Sequence, residues 1–101
     1  QTCALPISRF QRTVTIVNLR GLHARAAARF AERAEAYDCE ITVSRGGETV
    51  SGRSIMGLLL LAAARECDID IATDGEDAEE AIEALCALVA DGFGESDEEE
   101  S

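Results

Sequence analysis

The chain has 101 residues, of which 47% are hydrophobic and only 4% aromatic, which is typical of one small domain with an aliphatic core. All nine cationic residues are arginines at or before Arg65, whereas residues 66–101 carry 15 of the 20 acids, so the net charge of −11 is concentrated in the last third. This distribution argues against a nucleic-acid binder, and no apolar run approaches the roughly 20 residues that cross a membrane.

The two ends of the chain are predicted to lie outside the folded domain. Gln1–Ile7 back-translates into a sequence resembling a DNA sequencing-library adapter, so residues 1–8 are interpreted as a non-native N-terminal scar, with a genuine disordered N-terminus as the alternative. Residues 96–101 are acidic and unpatterned, which predicts a disordered, solvated tail. The predicted domain therefore spans residues 9–95.

The first half of the domain begins with a strand pattern and continues with a helix pattern. Residues 12–17 are β-branched and alternate, which predicts a strand, and residues 18–22 form a loop that leads to His23. From residue 23 to residue 37 apolar side chains recur at helical spacing, which predicts a helix whose solvated face carries Arg29 and Arg33.

Four further elements and their caps follow from the same kind of pattern. Strands are predicted at 40–44, 48–51 and 67–73, a glycine turn at 45–48, and a short helix at 54–63. Asp77 and Glu80 have the spacing of a capping box, which predicts the start of a last helix that ends at Gly92. The order βαββαβα predicts an α+β fold with a four-stranded, mainly antiparallel sheet and three helices on one face, an open-faced β-sandwich.

His23 is the one histidine of the chain and lies where the first predicted helix begins. The first backbone N–H groups of a helix have no intrahelical acceptor, and the helix dipole makes this end partly positive. The position should favour a neutral, nucleophilic imidazole and a phosphoryl group bound to it, with Arg25 as a nearby cation. The alternative from the residues alone is a histidine that only caps the helix or packs in part against the core.

A second motif removes much of that ambiguity. Arg53-Ser54-Ile55-Met56-Gly57-Leu58-Leu59 follows Gly21-Leu22-His23-Ala24-Arg25 by about thirty residues. The two motifs at this separation resemble the histidine-containing phosphocarrier proteins of the bacterial phosphotransferase system, the HPr family. The resemblance runs from about residue 12 to residue 95. One difference is Ala26, where many members have proline, a residue that would pre-set the first helical turn.

The resemblance implies a phosphocarrier that is not an independent enzyme. His23 would carry a phosphoryl group on Nδ1, Arg25 would stabilise it, and Ser54 would be a regulatory phosphorylation site. The phosphoryl donor would be Enzyme I, charged from phosphoenolpyruvate, and the acceptors EIIA-type proteins. An HPr kinase/phosphorylase would act on Ser54, which as a helix N-cap would also have a purely structural role. The sugar-transport and nitrogen-related branches of the system are not separated by these residues.

Further residues near the motifs are candidates for partner binding. Arg20 and Arg53 would extend a positive patch for acidic partners, with ordinary surface arginines as the alternative. The resemblance favours Ile55, Met56 and Leu59 as an exposed apolar docking patch, whereas core packing is the simpler interpretation from sequence alone.

Cofactor chemistry and other function classes find little support. The four cysteines, at 3, 39, 67 and 86, are too widely spaced for a C-x-x-C motif, and the last three are predicted to be small buried hydrophobic residues. We predict no metal or other cofactor, no nucleic acid or membrane as a partner, and a cytoplasmic location. A regulatory relative without phosphate transfer would not need His23, and a small ligand-binding domain would be expected to show a pocket motif elsewhere.

Overall fold

The computed structural model describes residues 9–17, 21–61 and 64–94 of the chain. The strands and helices follow one another in the predicted order: β1 (Arg9–Thr15), α1 (Ala24–Glu35), β2 (Cys39–Arg45), β3 (Glu48–Ser51), α2 (Ile55–Leu60), β4 (Asp68–Gly75) and α3 (Ala78–Ala90). A 3₁₀ turn at Gly92–Gly94 follows. The predicted N-terminal scar and the predicted acidic tail lie outside the described residues.

The four strands form one antiparallel sheet in the order β1-β4-β2-β3. In β4 alternate side chains are buried, with Ile69, Ile71 and Thr73 on the inner face. The other face is polar: Thr13 and Thr15 of β1 donate their hydroxyl protons to aspartates of β4. The predicted α+β open-faced sandwich is therefore confirmed.

The core lies between the inner face of the sheet and the helices. Each of the first and third helices contributes an apolar face, and α2 contributes Leu58, which is fully buried. The large aliphatic and aromatic side chains with almost no exposure include Phe30, Ile71, Ile82 and Leu85. Burial of an aliphatic or aromatic side chain contributes about 1.5–3 kcal/mol, so these residues fix the position of α1 and α3 on the sheet.

β1 begins three residues earlier and ends two residues earlier than the sequence pattern predicts. Its register begins with Arg9 opposite Asp74, because β4 itself continues to Gly75 and offers backbone partners to that point. At the other end Ile16 leaves the strand but keeps two backbone bonds, from its N–H to the Cys67 carbonyl at 2.8 Å and from the Glu66 N–H at 2.7 Å.

The predicted capping box at the start of α3 is wrong. Asp77 occupies the N-cap position, yet its side chain makes no hydrogen bond to the helix. Its Oδ2 instead accepts from the backbone N–H of Asp38 at 2.8 Å, and its own N–H donates to the Asp38 carbonyl at 3.4 Å. Because a tertiary donor takes the carboxylate, this residue joins the α1–β2 connection to the start of α3.

The C-terminal end of α3 turns back on α1. Gly92 and Phe93 have positive φ angles of 67° and 59°, and the Phe93 ring is fully buried. Nη1 of Arg29 donates to the Phe93 carbonyl at 2.6 Å. The prediction of Arg29 as part of a solvated face is therefore corrected, because this side chain holds the end of α3 against α1.

Candidate functional site

Gly21 and Leu22 directly precede His23 and shape the approach to α1. Gly21 has a φ of 70°, a conformation that favours glycine, and the next side chain, Leu22, is only 4% exposed. The His23 N–H closes this turn by donating to the Gly21 carbonyl at 3.0 Å. The buried Leu22 anchors the chain directly before His23, and the turn determines where the histidine lies.

His23 is the N-cap residue of α1, with extended backbone angles of φ −89° and ψ −176°. Its carbonyl accepts the first helical bond from the Ala27 N–H at 2.8 Å. Its Nδ1 accepts from the backbone N–H of Arg25 at 3.3 Å, and the imidazole is half-buried. A ring nitrogen that accepts carries no proton, so a neutral His23 in this arrangement holds its proton on Nε2.

The surroundings of Nδ1 favour negative charge. The nitrogen faces the start of a 12-residue helix, where backbone N–H groups and the helix dipole stabilise anions. Arg25 lies in the first turn and is exposed. Ala26, where the resembled family often has proline, is fully buried in the core. The helix α1 begins at Ala24 although this proline is absent. Negative charge placed next to Nδ1 would therefore be stabilised by this helix start.

Ser54 is the N-cap residue of α2, as predicted. Its Oγ accepts from the Gly57 N–H at 3.0 Å, and its carbonyl accepts from the Leu58 N–H at 2.9 Å. A Cβ atom on Gly57 would lie 3.0 Å from Val50 Cβ and 3.1 Å from Ser54 Oγ, so the glycine allows α2 to approach β3 closely. The serine side chain is half-buried, which leaves part of it accessible.

The exposure of the apolar side chains of α2 agrees with the prediction for Ile55 and Met56 but not for Leu59. Ile55 and Met56 are 41% and 70% exposed, but Leu59 is partly buried against the core. The predicted exposure of Leu59 is therefore corrected. Leu60, which the sequence analysis did not select, is 73% exposed. Its spacing of four residues from Met56 places both on one side of the helix and was the available signal.

Arg53, which is predicted to extend a positive patch for acidic partners, bonds within the fold, and its role in partner binding stays a prediction. Its Nη2 donates to the carbonyls of Ala34 at 3.2 Å and Tyr37 at 2.6 Å, at the C-terminal end of α1. His23 lies at the other end of this helix, about 18 Å away at 1.5 Å per residue. Arg20 lies outside the described residues.

The cysteines are less buried than predicted: Cys39, Cys67 and Cys86 are all half-buried, and Cys3 lies outside the described residues. A backbone hydrogen bond from Ala64 and a 3.4 Å bond from Arg45 Nη2 lower the pKa of the Cys67 thiol. Burial raises the pKa of Cys39 and of Cys86.

Neither a metal-binding cluster nor a membrane-spanning helix occurs in the part of the chain that the structure describes. No three His, Cys, Asp or Glu side chains of residues 9–17, 21–61 and 64–94 are arranged to share a metal ion. Within the same residues, no helix is both long enough and apolar enough to cross a bilayer.

Comparison with known proteins connects this geometry to a family. The family model for the phosphorylation site of the HPr component of the phosphotransferase system matches residues 10–91. Phosphocarrier protein HPr of Cupriavidus necator is 44% identical over 87 residues, which cover 86% of this chain and 98% of that protein. Phosphocarrier protein NPr of Shewanella violacea is 41% identical over 90 residues, with 89% and 99% covered. The crystal structure of HPr-C-His from Thermoanaerobacter tengcongensis superposes with a TM-score of 0.82 at 37% identity, covering 86% of this chain and 98% of that one.

Proposed function

Since this chain belongs to the HPr family of phosphotransferase-system phosphocarriers, we propose that it accepts a phosphoryl group on His23 from Enzyme I and passes it to EIIA-type proteins in the cytoplasm. The observation that carries the proposal is the bond from the Arg25 N–H to His23 Nδ1 at the start of α1. It directs the lone pair of this nitrogen toward the part of the site where negative charge is stabilised.

In the proposed transfer, Nδ1 attacks phosphorus while the bond between phosphorus and the donor breaks. The Nε2 proton stays in place, so no general base is needed. The Arg25 N–H then donates to a phosphoryl oxygen instead of the ring, and the Arg25 guanidinium supplies a second positive contact. The return step reverses these events. The protein acts as a carrier because the N–P bond both forms and breaks readily.

The test is phosphorylation by Enzyme I and phosphoenolpyruvate. We expect one phosphate per chain, lost in acid and stable in base, and absent from His23→Ala. Arg25→Ala keeps the backbone N–H but removes the guanidinium charge beside the phosphoryl group, so it should accept phosphate at least about tenfold more slowly. Arg12→Ala is the matched control, since Arg12 is also exposed but lies on β1 near Glu83. Label on His23→Ala would overturn the proposal, and an unchanged rate in Arg25→Ala would remove that arginine from the site.

We propose that partners dock on the exposed apolar side chains of α2, namely Ile55, Met56 and Leu60. Three large apolar side chains exposed on a short helix are a feature of interaction surfaces. Leu59 would support this surface from its inner side. Arg20 remains proposed as a contact for acidic partners.

We also propose that phosphorylation of Ser54 by an HPr kinase/phosphorylase would reduce partner binding. The group would add about −1.5 to −2 charges at neutral pH next to Ile55 and Met56. The helix start itself tolerates negative charge, so the expected effect is on docking and not on folding.

The acceptor branch can be decided by competition. The relatives bear both the HPr and the NPr names, so EIIA-type acceptors of the sugar-transport and nitrogen-related branches are the appropriate probes. The chain phosphorylated on His23 should transfer phosphate faster to acceptors of one branch. That preference would assign the chain to the sugar-transport or the nitrogen-related branch.

A further inference from the structure

The start of α1 has backbone N–H groups to which the protein offers no acceptor. The N–H groups of a first helical turn have no helical carbonyl to bond. In α1 the Arg25 N–H donates to His23 Nδ1 at 3.3 Å, and the Ala27 N–H donates to the His23 carbonyl at 2.8 Å. For the N–H groups of Ala24 and Ala26, no acceptor occurs among residues 9–17, 21–61 and 64–94. Two donors at this helix end therefore remain for other acceptors.

Only one of these two donors belongs to a buried residue. Ala24 is exposed, so water can accept from its N–H, whereas Ala26 is fully buried. A buried N–H without an acceptor is rare in folded proteins, because the group loses its bonds to water and gains none in return. The first turn of α1 contains no acidic side chain that could accept from it. The Ala26 N–H therefore lacks an acceptor that a group bound at this helix end could supply.

The phosphoryl group of the proposed function would lie at the same helix end. The family model that matches residues 10–91 describes a phosphorylation site, and His23 is the proposed nucleophile. A phosphoryl group on Nδ1 takes the Arg25 N–H from the ring, so the ring leaves the helix start and phosphoryl oxygens face it. The N–H groups of a first turn all point toward the helix N-terminus. The Ala26 N–H is thus directed to the same side as that of Arg25, and the group has three oxygens to accept.

We propose that the Ala26 N–H donates to the phosphoryl group on His23 alongside the Arg25 N–H, and that this second bond makes the chain hold the group more firmly. The inference rests on the proposed function. Proline, which many members of the family have at this position, has no N–H to donate. One residue would therefore shift the balance between the phosphorylated and the free form of this carrier relative to a chain with proline.

The bond is tested by NMR before and after phosphorylation of the full chain by Enzyme I and phosphoenolpyruvate. A hydrogen bond to an anion is short and strong, and it moves an amide proton downfield, so the Ala26 and Arg25 amide signals should both move downfield. The Gly57 amide is the control, because it is bonded to Ser54 Oγ at the start of α2 and should keep its position. An Ala26 signal that stays in place while the Arg25 signal moves would overturn the proposal.

The effect on the carrier is tested by the equilibrium of phosphoryl exchange with Enzyme I, followed by phosphorus NMR. Ala26→Pro removes the N–H in the first helical turn, where proline is tolerated. It should lower the equilibrium constant for the phosphorylated chain about tenfold, the size expected for one hydrogen bond to a charged group. A chain assembled by chemical ligation with an ester in place of the Ala26 amide loses the N–H alone and should behave in the same way.

A matched variant separates the donor from the packing of the side chain. Ala26→Gly keeps the N–H and removes the methyl group, so its equilibrium constant should stay close to that of the parent chain. Equal constants for the parent, Ala26→Pro and the ester chain, or an equal loss in Ala26→Gly, would overturn this inference and leave the proposed function in force. If no form accepts phosphate from Enzyme I, the proposed function fails and the inference fails with it.

Discussion

Replacing Arg53 with alanine separates a structural role from a partner-binding role. In the structure its Nη2 donates to two carbonyls at the C-terminal end of α1, those of Ala34 and Tyr37. These acceptors lie at the helix end, where carbonyls lack the regular helical donor; the Ala34 carbonyl also accepts from the Tyr37 N–H at 3.3 Å. Arg53→Ala is therefore expected to lower the free energy of unfolding and to leave phosphate acceptance at His23 nearly unchanged.

The size of the loss follows from the kind of bond. A hydrogen bond from a charged donor contributes about 1.5–3 kcal/mol, and a cation at a helix C-terminus about 0.3–1 kcal/mol. The Tyr37 bond at 2.6 Å is short, the Ala34 bond at 3.2 Å is long, and the group is only partly buried. We expect a loss of about 2 kcal/mol, which lowers the melting temperature of a domain of this size by about 10 °C. Arg53→Lys should retain roughly half of this contribution of about 2 kcal/mol, because an ammonium group cannot replace the planar set of donors of a guanidinium group.

The assay is urea unfolding followed by far-UV circular dichroism, with Arg9→Ala as the matched control because Arg9 is exposed on β1. A loss smaller than about 0.5 kcal/mol, the usual range for surface substitutions, would refute the capping argument. Unchanged stability together with slower phosphate acceptance would instead support the partner-binding role predicted from the sequence.

Three further predictions concern other parts of the fold. Gly52→Ala should destabilise the domain by about 2 kcal/mol in thermal unfolding, because the added Cβ would lie 2.4 Å from Cγ2 of Ile41 on β2. Unchanged stability would contradict this. Cys67 should react with iodoacetamide faster than Cys39 at neutral pH. Arg45→Gln should raise the pKa of the Cys67 thiol and thereby slow its reaction. Mass spectrometry can follow both labelling rates. Equal labelling rates would argue against the Arg45 contact. Ser54→Asp should melt like the parent, since aspartate is also a good N-cap, yet accept phosphate from Enzyme I more slowly; equal rates would show that this site does not control the transfer.

Local patterns were sufficient to predict the order of the elements. Alternation in β4 and helical spacing in α1 follow from the requirement that one side of each element be buried, and both patterns are present in the sequence. The N-cap positions of His23 and Ser54 were also predictable, because a helix start depends on a few neighbouring residues.

The errors come from contacts between residues far apart in sequence. Asp77 has the spacing of a capping box, but the Asp38 N–H takes its carboxylate. Arg53 and Arg29 look like surface arginines, but each bonds to carbonyls of another element, Arg53 at the end of α1 and Arg29 at Phe93. Such pairings depend on which elements lie side by side in the fold, and a short stretch of sequence does not reveal this.

The order of strands in the sheet has a consequence for how the protein is made. β1 pairs with β4, and the two strands are more than fifty residues apart in the chain. Pairings between distant segments form late and slow the folding of a domain. Ile16, which follows β1, likewise bonds through its backbone to Glu66 and Cys67, just before β4.

A growing chain therefore contains His23 long before it can hold the histidine in place. An isolated 12-residue helix such as α1 is marginal in water, so its start is not a stable anion site until the sheet supports it. The segment on which this support depends, β4, ends at Gly75. We expect that nascent or truncated chains which end before this residue are poor phosphate acceptors although the nucleophile is present, so that competence for phosphorylation is acquired only with the complete sheet.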